Sequence, residues 1–113
     1  MQGRVTVTEG ALASLLALAA HEVPGVVGMA PAGLKDQVVR ILGRQEASEG
    51  VVVRQDPAGP GKYAVDFYVV VAVDTRIPTV VESLAERVAF VAKKLAGVEL
   101  SQVRVHVVGV GRG

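Results

Sequence analysis

This chain predicts an α+β fold, a two-layer sandwich with one mixed or antiparallel sheet and two main helices on one face. Three observations carry that prediction. Valine-rich segments alternate with polar residues at the period of a strand, two longer segments repeat apolar residues at the period of a helix, and the two kinds follow in the order β-α-β-β-α-β. With 113 residues the chain is long enough for one core, so residues 1–113 are read as a single domain.

The elements follow in order. Val5 and Val7 alternate with Arg4 and Thr6, which predicts a short strand over Gly3–Val7. Thr8 can cap a helix and Glu9 suits its positive end, after which Leu12, Leu15, Leu16, Ala19 and Val23 form one apolar stripe. Pro24 and Gly25 should stop that helix near His21 or Glu22. Residues 28–50 are irregular, with one short helix suggested by Leu34, Val38 and Ile41 or Leu42. Val51–Gln55 and Tyr63–Asp74 read as the strands of a hairpin, joined by the turn "DPAGPGK". The second helix should begin between Thr75 and Pro78, bury Val81, Leu84, Val88, Val91 and Leu95, and end at Gly97. Val103–Val110 is the last strand. A ferredoxin-like closure is the simplest arrangement of that order.

Composition excludes more than it suggests. A net charge of +1 gives no field that argues for nucleic acid or anionic lipid, and the lack of cysteine removes disulfides, thiolate metal sites and thiol nucleophiles. The longest apolar run, "VVVAV", is far short of the ~20 residues that span a bilayer. A cytoplasmic protein with no direct membrane insertion is therefore expected.

The candidate chemical motifs fail one by one. His21 and Glu22 are neighbours, but adjacent helical residues project roughly 100° apart and cannot form an acid-base pair. His106 stands mid-strand with no ligand cluster in sequence, and no serine occupies a nucleophile elbow. Gly61-Lys62 ends like a phosphate loop, yet Asp56 and Tyr63 stand where that motif needs a glycine and a serine or threonine. Tyr63 and Phe67 share one strand face while Asp66 and Tyr68 share the other, so the stacking platform of an RNA-recognition sheet is not reproduced. No catalytic, cofactor or metal residues are assigned, and nucleic acid is not expected as a partner.

Interaction residues are assigned instead. Alternation puts Val5, Val7, Val53, Val65, Phe67, Val69, Val103, Val105 and Val107 toward the helices and leaves Arg4, Thr6, Arg54, Asp66, Tyr68, Val70, Arg104, His106 and Val108 on the open side. Apolar Tyr68, Val70 and Val108 ringed by arginines have the composition of an interface. Phe90 lies off the buried stripe of the second helix, either covered by the irregular segment or exposed to a partner.

The segments "GRVTVTEGALASLLALAAHEVPGVVGM", "EGVVV", "YAVDFYVVVAVDTRIPTVVESLAERV" and "VRVHVVGV" together resemble the alkaline shock protein family of bacteria, over nearly the whole chain except 30 to 48. In that family a segment like "HEVPGV" ends the first helix and turns the chain. The resemblance implies a non-enzymatic protein of the envelope stress response that self-associates and is held at the membrane by a separate anchor protein. Other relatives resemble cytosolic accessory proteins of fatty-acid synthesis, which is the alternative implied function.

Overall fold

A computed structural model describes residues 7–29, 46–48 and 50–112. Its elements are α1 (Glu9–His21), β1 (Val26–Met29), β2 (Glu46–Ser48), β3 (Val51–Gln55), β4 (Lys62–Ala72), α2 (Ile77–Val91) and β5 (Glu99–Gly111). One turn of π-helix, Ala92–Ala96, extends α2.

The first helix starts and stops as its sequence dictates. The Thr8 hydroxyl accepts the Ala11 amide at 3.1 Å. Past His21 the chain turns through Gly25, whose φ of +98° is left-handed and whose position a Cβ would bring within 2.6 Å of Val80. The Gly25 carbonyl then accepts the Ala72 amide at 2.8 Å, tying the turn to the end of β4.

β4 is the central strand. β5 runs parallel to it from Lys62↔Glu99 to Ala72↔Gly111. Along its other side β3 pairs antiparallel with Tyr63–Phe67 and β1 antiparallel with Val69–Val71, while β2 extends the sheet beyond β3. The α+β class and mixed sheet hold, but the ferredoxin-like closure does not. That closure sets another strand between β4 and β5, whereas these two hydrogen-bond each other directly, with α2 as the crossover that parallel neighbours require.

Two further differences from the predicted elements stand out. β1 starts before the 28–50 segment expected to be irregular and runs into it, and β2 lies within it; both escape the sequence pattern because each is short and β1 is broken by Gly28 and a bulge. β4 ends at Ala72, two residues early, where Thr75 turns back to donate its hydroxyl to the Ala72 carbonyl at 2.7 Å. The expected strand over Gly3–Val7 falls mostly outside the described residues, and Val7 itself is not in a strand. The short helix near Leu34, and Arg4 and Thr6, also lie outside them.

Both helices pack on one face of the sheet. Leu12, Leu16, Leu84 and Val88 meet Val51, Val53, Val65, Phe67 and Val69 in a single buried cluster, with Val103, Val105 and Val107 half-buried at its edge. Two residues depart from the expected stripe of α2: Val81 is only partly buried, its place taken by the buried Val80, and Leu95 is 70% exposed. The π turn widens the spacing from four residues to five, so Ala92 takes the buried position and Leu95 rotates outward. Gly97, at φ +69°, ends the turn as predicted.

Candidate interaction face

The side of the sheet away from the helices collects most of the predicted interaction residues. Strand alternation points Asp66, Tyr68 and Val70 outward from β4, and the register sets Val52 and Arg104 beside Asp66 and His106 beside Tyr68. Arg54, opposite Ala64, reaches Asp66 along the diagonal.

Asp66 is the hub of this face. Its carboxylate is buried and accepts from Arg54 Nη2 at 2.9 Å, Arg104 Nε at 3.0 Å and His106 Nε2 at 2.9 Å. Arg104 Nη2 lies 3.4 Å away as a fourth donor. Burial pushes the Asp66 carboxyl up, but the hydrogen bonds from His106 and Arg54 and the charges of the two arginines outweigh it and hold the group below its ordinary value of 3.8. The donors themselves are only partly enclosed, with Arg104 and His106 side chains 49% and 42% exposed against 8% for Asp66. One carboxylate therefore fixes three cationic or hydrogen-bonding side chains at the surface.

Tyr68 extends the platform. Its ring stacks on His106 with centroids 4.6 Å apart and planes 12° from parallel. Burial and the Asp66 charge push the Tyr68 phenol above its ordinary value of 10.0, against the opposing arginines. A phenol held up in this way favours the fold below its ordinary value, and that contribution is lost as pH rises through the shifted one.

Beyond Tyr68 the face becomes flat. Val70 has Gly28 on one side and Gly109 on the other, and a Cβ built at Gly28, Gly109 or Gly111 would come within 3.9, 3.6 or 3.5 Å of Val70. The register skips from Val69↔Val107 to Val70↔Gly109, so Val108 occupies a bulge and has no partner on β4. It is 46% exposed at the border of the open face, not in line with Val70 as simple alternation predicted.

The structure thus brings Arg54, Asp66, Tyr68, Val70, Arg104 and His106 together and puts Val108 beside them. Phe90 is exposed but belongs to α2, in the helical layer. Sequence reading missed the glycine surroundings of Val70 and the convergence on Asp66, because both depend on which residues face each other across strands. It also missed that Glu22 pairs with Arg87 at 2.6 Å, joining α1 to α2 across one end of a groove lined by Leu15, Leu18, Ala19, Val91 and Leu95. His21 is exposed, and that contact turns Glu22 to α2.

Among the described residues no group of three or more histidine, cysteine or acidic side chains could hold a metal ion. No described helix is long and apolar enough to cross a membrane.

Comparison with known proteins places the chain. Residues 1–112 match the alkaline shock protein 23 family, described as having a cell envelope-related function, and the match runs through the 30 to 48 segment that the quoted motifs leave out. The chain is 28% identical over 109 residues to the uncharacterized protein YloU of Bacillus subtilis, covering 96% of this chain and 88% of that one. It is 30% identical over 106 residues to the uncharacterized protein Spy1614 of Streptococcus pyogenes, covering 93% and 85%. No solved structure matches significantly.

Proposed function

The chain belongs to the alkaline shock protein 23 family, of cell envelope-related function, and from that premise we propose that it is a non-enzymatic binding module. It acts through the open face of its sheet, associating with its own kind and with a protein partner held at the membrane. The observation that carries this reading is the Asp66 hub. Its polar side chains converge on one another and on a flat surface, whereas a catalytic group must be aimed at a bound substrate.

The face also has the composition of a binding surface. An aromatic ring and an aliphatic side chain, Tyr68 and Val70, lie in line with two arginines at the Asp66 end, so that apolar and charged side chains share one surface as they do in an interface. Envelope stress is the setting that the family resemblance suggests for it.

The test is Tyr68→Glu combined with Val108→Glu, followed by light scattering, by pull-down from the native cell and by circular dichroism. A folded double variant that loses assembly or partners is expected. A folded variant with unchanged assembly and unchanged partners would sink the proposal.

A further inference from the structure

We infer that the open face accepts an acidic, extended polypeptide segment of a protein partner, its carboxylates on Arg54 and Arg104 and its backbone along the flat strip beside Val70. The inference rests on the proposed use of this face and names the chemistry of what it binds.

Charge complementarity identifies the occupant. Two arginines face one carboxylate, so the cluster keeps one net positive charge with His106 neutral and two with it protonated. A guanidinium carries five N–H donors in a rigid fork. Asp66 engages Arg54 Nη2 and Arg104 Nε and Nη2, which leaves each guanidinium, on side chains 29% and 49% exposed, with further N–H groups for a second carboxylate. The same carboxylate holds both side chains in place, so a ligand need not order two long flexible chains before binding. Phosphate polymers fit less well, because Asp66 sits at the centre of the cluster and a single net charge recovers little from counterion release.

The second half of the face decides the shape. Gly28, Gly109 and Gly111 surround Val70 without side chains of their own, so a neighbouring backbone can approach the sheet closely there. An extended segment can therefore put its main chain over Val70 while an acidic side chain reaches Arg104.

The experiment is an NMR titration of the isotope-labelled full chain with a synthetic peptide of alternating glutamate and glycine. Parallel titrations use the glutamine-glycine peptide and single-stranded oligouridylate. Amide shifts should concentrate at Arg54, Arg104, His106 and Gly109 with the acidic peptide, and the glutamine peptide should bind at least about tenfold more weakly, the loss expected for a charge-assisted hydrogen bond. Arg104→Gln should weaken the acidic peptide by a similar factor while keeping the folded spectrum, and Gly109→Val should weaken it by raising the floor. Equal binding of the two peptides, preference for oligouridylate, or no shifts on this face at millimolar peptide would overturn the inference. If the titration fails while the Tyr68 and Val108 double variant still loses its partners, acidic recognition falls and the open-face reading stands.

Discussion

Asp66 shows how a single residue can organise a surface. A buried carboxylate is costly alone, and here donors from three side chains offset the cost, so removing its charge leaves two arginines facing each other over an amide. Asp66→Asn should therefore lose about 1–3 kcal/mol at neutral pH, measured by urea unfolding. Because the folded carboxyl lies below 3.8, its contribution is fully present above that value and disappears as pH falls through the depressed one. Wild-type stability should decline through that acid range more steeply than that of Asp66→Asn. Phe90 offers the opposite case, a large apolar side chain 56% exposed. Phe90→Ala should change stability by no more than about 0.5 kcal/mol, and a loss of several kcal/mol in the same assay would contradict its exposure. Alternation alone put Asp66, Tyr68 and His106 on one side from the sequence. It could not show that they touch, since cross-strand partners depend on register and β5 shifts register twice.

At the scale of elements, the stretch "HEVPGV" acts through geometry. Gly25 is left-handed and also pressed against Val80 and Thr75, whereas Gly97 is left-handed with nothing within 4 Å of a built Cβ. Gly97→Ala should cost about 1 kcal/mol, from backbone strain alone. Gly25→Ala adds a clash to that strain and should cost clearly more, about 2–4 kcal/mol, both read from thermal unfolding. The π turn makes a second contrast. Leu84 is fully buried and Leu95 exposed, although both belong to the helical stripe read from sequence. Leu84→Ala should lose about 2–5 kcal/mol and Leu95→Ala no more than about 0.5 kcal/mol. Helical periodicity recovers the start of α2 and its buried Leu84, Val88 and Val91 because the spacing is regular there, but it picks Val81 where Val80 is the buried residue. It fails at Leu95 because nothing in "AKKLA" marks the extra residue.

In the whole molecule the two faces of the sheet differ in kind. One face is buried under α1 and α2, and the other carries the Asp66 hub, the stacked Tyr68 and the flat strip at Val70. The class of fold was legible because burial on one side imposes period two on the strands. The closure was not, because pairing β5 beside β4 is a choice between backbones that side-chain pattern does not encode. The helical layer has its own exposed apolar residues in Leu18, Phe90 and Leu95, so the two surfaces can be set against each other. The most direct measurement is photo-crosslinking in the native cell, with a benzoylphenylalanine placed at Tyr68 in one strain and at Leu18 in another. The account predicts adducts, to a second copy or to a partner, from position 68 and few from position 18. Adducts confined to position 18, with none from position 68, would contradict it.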